Sequence, residues 1–327
     1  MTDAIVPAPT LALRGAVPAL RELLALRAAA ARLTWAPPRT VRASGAGLRS
    51  SRFRGRGIDF AETRSYQPGD DVRHIDWRVT ARTGRPHTKV FHEERERPIL
   101  LLADLGPETF FGTRQRLKSL AIAELSALLL WRAYDDGDRV GALLRAATGI
   151  EAHRPKKTHQ SVLRILERLS QGCASLAARY GVSQERRSGG TPAPASTPTL
   201  AEALRELLAV VRPGTTVMVL SDFASSEKDL DEILSLLGRL GRNATVHGVL
   251  VSDPFERETP PAGRYPLSDG LRRRELDLQG PRAGKSWALR YAQRRDQLQR
   301  QLQGQGGRLL ECATDGDYLR DLGLWLR

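Results

Sequence analysis

Ile99-Leu100-Leu101-Leu102-Ala103-Asp104 carries five apolar side chains without a break and ends on a carboxylate. A strand with one wet face alternates apolar and polar residues, so this unbroken run reads as a strand covered on both faces, its acid opening a loop. The same form returns at residues 140–144, at residues 216–220 before Ser221-Asp222, and at residues 245–251 before Ser252-Asp253. Between the runs, Leu117, Leu120, Ala121, Leu125, Leu128 and Leu129 recur at three- and four-residue spacing, and Leu230, Ile233, Leu234, Leu237 and Leu240 do the same, which is the period of a helix. A last unit joins a polar helix at residues 287–302 to the run 309–313 and a closing helix from Asp317. Residues 98–327 are therefore expected to form one α/β domain, a doubly wound, mostly parallel sheet between helices.

N-terminal to residue 98 the pattern changes. Residues 35–97 are rich in Gly, Pro, Arg and Ser with only short β-like runs such as 88–92, and read as a smaller turn-rich β module. Residues 1–34 read as a tail and an amphipathic helix. Its apolar stretch, residues 20–33, is broken by Arg21, Glu22, Arg27 and Arg32, so it can neither span a bilayer nor serve as a signal segment, and the cytoplasm is the expected compartment. Within the α/β part, residues 172–198 mix Gly, Ser, Pro and Arg and are expected to be a mobile loop.

The composition supports this frame and narrows function. With 327 residues, 41% hydrophobic and 27% charged, the chain has the balance of a globular protein. Its two cysteines, Cys173 and Cys312, supply neither a disulfide framework nor a structural zinc site. The 51 basic residues against 37 acidic ones leave a net charge of +14, which places nucleic acid and acidic proteins among the partners to weigh. The basic residues are spread, and their main uncompensated concentration is Arg39, Arg42, Arg49, Arg52, Arg54 and Arg56, a stripe with no acid in it and only Trp35 and Phe53 as aromatic neighbours. A nucleic-acid protein using this Arg39 to Arg56 stripe is the alternative reading of function, but aromatics for base stacking are few, and the stripe suits an acidic protein surface better.

The densest run of special residues lies in the β module. It comprises Gly57, Asp59 and Phe60, then Arg64-Ser65-Tyr66-Gln67-Pro68-Gly69-Asp70-Asp71-Val72-Arg73-His74-Ile75-Asp76-Trp77, then Ala81-Arg82. Gln67-Pro68-Gly69-Asp70 is a turn, with Pro at its second position and Gly where positive φ is needed. Arg64, Arg73, Arg78 and Arg82 are within reach of Asp59, Asp70, Asp71 and Asp76 as bidentate pairs, which would hold a compact turn around Trp77 or build a docking surface.

At this point the pattern G-x-D-F-x-x-x-R-x-Y-x-P-G-D-D-x-R-x-I-D-W-x-x-x-A-R resembles the signature of the bacterial family called domain of unknown function 58. Asp138-Arg139-Val140-Gly141, Ser221-Asp222-Phe223 and Asp253-Pro254-Phe255-Glu256 resemble the family's later segments. The resemblance implies that the α/β part is similar to a von Willebrand factor A domain. It also implies a partner, since the family's members are commonly encoded beside a MoxR-type AAA+ ATPase.

Von Willebrand A domains that bind Mg²⁺ use D-x-S-x-S after the first strand together with a Thr and an Asp from later loops. The resemblance therefore directs attention to Asp104-Leu105-Gly106-Pro107-Glu108, which departs from that pattern at both serines, and to Asp222. The threonine falls at Thr197 or Thr199. The expected set, a degenerate Mg²⁺ site of the metal-ion-dependent adhesion type, is Asp104, Glu108, Thr199 and Asp222; the competing reading has Asp104 and Asp222 capping their loops.

No catalytic constellation accompanies these residues. Gly280 to Ser286 ends like a phosphate-binding loop but has three residues between its glycines instead of four and follows no buried strand. His87 and His92 stand an odd number apart and would face opposite sides of a strand. The sequence thus points to a non-enzymatic, cytoplasmic interaction module of von Willebrand A type. Its expected interaction residues are Asp59, Arg64, Tyr66, Gly69, Asp70, Arg73, Asp76, Trp77 and Arg82.

Overall fold

The structure is a computed structural model describing residues 16–34, 58–93, 98–180, 197–224, 227–258, 261–268, 273–279 and 283–326. Its elements in chain order are α1 (Leu20–Ala30), β1 (Ile58–Ser65), α2 (Trp77–Thr83), β2 (His87–Glu93), β3 (Pro98–Leu105), α3 (Lys118–Asp135), β4 (Arg139–Ala146), β5 (Gly149–Lys156), α4 (His159–Arg179), α5 (Leu200–Val210), β6 (Thr215–Ser221), α6 (Glu227–Leu240), β7 (Ala244–Ser252), α7 (Pro254–Arg257), β8 (Arg264–Ser268), β9 (Arg273–Asp277), α8 (Ala283–Gln303), β10 (Leu309–Ala313) and α9 (Tyr318–Trp325). The arginine stripe between Arg39 and Arg56 lies outside the described residues.

The chain divides into two units. One comprises residues 1–37 and 97–327, the other residues 38–96. In the larger unit the sheet runs β5-β4-β3-β6-β7-β10. Pairing is parallel throughout except for β4 with β5. Numbered within this sheet alone, that is the doubly wound order 3-2-1-4-5-6, whose direction reverses between β3 and β6.

The unbroken apolar runs follow from two-sided burial. Ile99, Leu101, Ala103 and Leu105 of β3 pack into a core with Ile122, Leu125 and Leu129 of α3 and with Ile165 and Leu169 of α4. Leu100 and Leu102 point the other way, into a core with Leu204 and Leu207 of α5 and Ile233 and Leu237 of α6. Successive strand residues therefore serve opposite faces, and both must be apolar.

Three features depart from the sequence expectations. Helix α1 is part of the larger unit: Leu23 is buried in the first core, its carbonyl accepts from Trp131 Nε1 at 3.1 Å, and Arg27 pairs with Asp135 at 2.8 Å. The expected loop 172–198 is helical through Arg179, because Gly172, Cys173 and Leu176 are core residues of α4; residues 181–196 lie outside the described residues. The edge strand β5 and the hairpin β8-β9 carry no apolar run, so hydrophobicity does not announce them. On β5 an edge position needs none, and its Arg154, Pro155 and Lys156 suit a strand that must not pair further.

In the smaller unit β1 and β2 pair antiparallel with an irregularity between Phe60 and Glu62. The expected turn forms, with Gly69 at φ 107° and Asp70 N donating to Gln67 O at 3.0 Å. A short 3₁₀ turn, Val72–His74, and helix α2 follow it. The helix is an addition to the turn-rich β module expected here, and Asp76 starts it: its carboxylate accepts from the N–H groups of Arg78 and Val79.

Candidate functional site

Ligands of doubly wound sheets bind beyond the carboxyl ends of the strands, at the point where strand order reverses. Here that point is the pair β3 and β6, ending in Asp104 and in Ser221-Asp222. The three side chains are each 1% exposed or less. A carboxylate so buried must be paired or fully hydrogen-bonded.

Each acid is met by a cation from the chain itself. Arg145, at the end of β4, donates from Nη1 to Asp104 Oδ1 at 2.6 Å, from Nη2 to Glu108 Oε2 at 3.1 Å and from Nε to Pro198 O at 2.6 Å. Gly106 N also donates to Asp104 Oδ1, at 3.1 Å, and Ser221 Oγ donates to Asp104 Oδ2 at 2.5 Å. Lys118, the first residue of α3, places its ammonium 2.6 Å from Asp222 Oδ2 and 3.0 Å from Glu256 Oε1. Asp222 Oδ1 accepts from Ala224 N at 2.9 Å.

The electrostatics agree with the geometry. Burial alone would lower the Lys118 pKa, but the charges of Asp222 and Glu256 outweigh it and hold the ammonium above its ordinary value. Burial likewise opposes ionisation of Asp222, and Lys118 together with the Ala224 N–H keeps it below the usual carboxylate range. Both partners are therefore charged. Phe223, buried directly after them, has φ 47°, and its N–H donates to Ser221 Oγ at 2.9 Å. A bulky residue in this region is strained, so the loop after β6 is held against its own backbone preference.

A third carboxylate extends the network. Asp253, at the end of β7, accepts from Thr113 Oγ1 at 2.5 Å, Thr113 N at 2.9 Å, Phe255 N at 3.0 Å and Thr314 Oγ1 at 2.8 Å. Glu256 closes the circuit by accepting from Asp253 N at 3.0 Å. Beside it a cleft of about 780 Å³ opens between α6 and α8, bordered by Ala224, Glu256, Tyr291 and Arg294.

The residues expected as Mg²⁺ ligands are thus distributed differently. Asp104 and Glu108 meet through Arg145, and Asp222 belongs to Lys118. Thr199 stays at the N-cap of α5, its Oγ1 accepting from Glu202 N at 3.2 Å, and Thr197 accepts from Arg179 at 2.9 Å. The place of the pattern's first serine is taken by Gly106, where an added Cβ would run into the guanidinium of Arg145. A serine there would force this guanidinium to move from its place between Asp104 and Glu108. Mg²⁺ requires an open, nearly octahedral set of oxygens. The oxygens of Asp104 and Asp222 are instead turned to N–H, hydroxyl, guanidinium and ammonium donors, and this arrangement does not fit the ion.

Lys118 and Arg145 were not marked by sequence reasoning, though a signal was available. Lys118 stands next to Leu117 at the head of a helix whose residues 119–123 are otherwise uncharged, and Arg145 directly follows the apolar run of β4.

In the smaller unit, Arg64 Nη2 donates to Asp70 Oδ1 at 2.7 Å, which holds the Asp70 carboxyl below its ordinary pKa. Asp70 also accepts from Gln67 N at 2.9 Å, and Asp71 from Arg73 N at 2.9 Å. Tyr66 N donates to Pro86 O at 2.9 Å. Among the described side chains, Arg73, Arg78 and Arg82 form no ion pair with Asp70, Asp71 or Asp76, whose carboxylates accept from backbone N–H groups. The side chain of Asp59 lies outside the described residues.

Fold and site together define a doubly wound α/β protein whose strand ends are braced by buried ion pairs. The chain belongs to the family described as "Protein of unknown function DUF58", which matches residues 62–297. It is similar to uncharacterized proteins of Mycobacterium tuberculosis and Mycobacterium bovis, 29% identical over 276 residues, covering 82% of this chain and 78% of theirs. Among solved structures it is similar to the VWA domain of SpRpn10, at 9% identity and TM-score 0.37, covering 69% of this chain and 93% of that one. Proximal thread matrix protein 1 of the mussel byssus follows at 12% identity and TM-score 0.29, covering 48% and 37%. Among the described residues, no helix is long and apolar enough to cross a membrane.

Proposed function

We propose that this chain is a non-enzymatic, von Willebrand A-like interaction module of the cytoplasm that works with a MoxR-type AAA+ ATPase and does so without a metal ion at its sheet edge. The observation that carries the reading is the engagement of Asp104 and Asp222 by Arg145 and Lys118. Carboxylates neutralised in this way are poor general bases and poor metal ligands, and they stiffen the strand ends instead.

Other reactive groups are similarly quiet. Burial pushes the Cys173 thiol up to about 12 and raises that of Cys312 further, so neither is a nucleophile at neutral pH. Burial lowers His247 to about 4, leaving it neutral. Free, buried thiols also suit a reducing compartment. The ATPase partnership rests on the family signature from Arg64 to Arg82.

The test is affinity capture from the native cell with the full chain as bait. Recovery of an AAA+ ATPase, undiminished by a chelator of divalent ions and absent with unrelated bait, is the expected result. Recovery of none would remove the partnership.

A further inference from the structure

We propose that the exposed segment of residues 72–85, which carries Val72, Trp77, Arg73, Arg78, Arg82 and Arg85, is the docking surface of the smaller unit for an acidic segment of a protein partner. The proposal rests on the interaction-module reading and names its site. Trp77 is 69% exposed and Val72 61% exposed, and both lie on the segment that carries the family signature.

The surface arises from how the aspartates are used. Asp70, Asp71 and Asp76 hold the backbone N–H groups of Gln67, Arg73, Arg78 and Val79. Their remaining ionic contacts go to Arg64 at 2.7 Å and, weakly, to Lys89 at 3.9 Å. Arg73, Arg78, Arg82 and Arg85 are exposed and form no ion pair among the described residues.

Helix stability accounts for Arg82, which sits in the last turn of α2 where the dipole favours a cation, but not for Arg78. Arg78 lies in the first turn of α2, where the helix dipole disfavours a cation, and it precedes Arg82 by four residues, a like-charge spacing that opposes the helix. The caps at Asp71 and Asp76 hold the backbone, though not the exposed side chains, of Arg73, Arg78 and Arg82 in one conformation. Less entropy is then lost when a partner docks.

Exposed Trp and Arg are the residue types that dominate protein interfaces energetically. A strand of nucleic acid would want a succession of exposed aromatic rings, and Tyr66 beside this surface is half-buried. Arg64 and Asp70 belong to the turn and not to the contact.

The test uses the full chain and a labelled glutamate-rich peptide containing one leucine and one phenylalanine, followed by fluorescence anisotropy at about 50 mM salt. Wild type is expected to bind. Trp77→Ala should weaken binding about fivefold and the pair Arg78→Glu, Arg82→Glu about tenfold or more. The pair Arg205→Glu, Arg295→Glu in the larger unit changes net charge equally and should alter binding less than about twofold. Circular dichroism establishes that each variant is folded.

Absence of wild-type binding, or equal losses in both double variants, would overturn the proposal. So would a Trp77-dependent affinity for an oligothymidine greater than that for the peptide. If the ATPase is captured equally by wild type and by the Arg78→Glu, Arg82→Glu variant, this surface is wrong and the partnership stands; if wild type captures none while the peptide data hold, the reverse is true.

Discussion

Two clusters of aspartate in this protein meet opposite fates. At the sheet edge, Asp104 and Asp222 are buried and each is matched by a cation drawn from another element, Arg145 from β4 and Lys118 from α3. In the smaller unit, Asp70, Asp71 and Asp76 lie at or near the surface and are matched mainly by backbone N–H groups a few residues away. The first arrangement consumes its basic residues internally, and the second leaves them facing solvent. What separates the two is burial: an interior carboxylate needs a full counter-charge, whereas a solvated one is satisfied by a turn.

The sharpest way to break this comparison is to remove one cation from the interior. Lys118→Met should destabilise the fold by about 3–5 kcal/mol in denaturant titration, because it strands Asp222 without a counter-charge. Adding Asp222→Asn should restore part of the loss. A loss below about 1 kcal/mol would show that the pair is not the brace described here.

Titration sharpens the same point. The folded-state pKa of Asp222 is depressed, so its contribution is present above the ordinary aspartate value near 3.9 and is lost as pH falls through the folded value. Lys118 is raised, so its contribution is complete below about 10.4 and is lost as pH rises through the folded value. Thermal melts of wild type should weaken at both extremes, and melts of the Lys118→Met, Asp222→Asn variant should show a flatter profile.

Gly106→Ser would restore the first serine of the metal-binding pattern, with Glu108 still at the second, but drive a Cβ into the Arg145 guanidinium. A destabilisation of about 1–3 kcal/mol is expected, relieved when Arg145→Ala is made in the same chain. Smaller again, Asp76→Ala should cost about 1 kcal/mol by removing the cap of α2, with the loss seen as faster hydrogen exchange in residues 77–83.

The sequence discloses these two clusters unequally. The parallel sheet is legible because both faces are covered, which turns Ile99 to Ala103 and its counterparts into apolar runs that no other environment tolerates so well. Asp104 and Asp222 are legible as strand-end acids for the same reason. Their partners are not, since Arg145 lies 41 residues and Lys118 104 residues along the chain from the acids they meet. Long-range pairing leaves no local spacing to read. In the smaller unit the opposite bias applies: proximity in sequence suggests Arg–Asp pairs, whereas backbone N–H groups are nearer still and claim the carboxylates first. Helix α2 was hidden by the same competition, because Asp76 reads equally as an ion-pair partner and as a cap.

The claim that internal cations occupy this sheet edge in place of a metal is tested most directly by calorimetric titration of wild type and Asp104→Ala with Mg²⁺ and Mn²⁺. The expected result is no saturable heat in either protein at millimolar ion. Saturable binding by wild type that disappears in Asp104→Ala would contradict it.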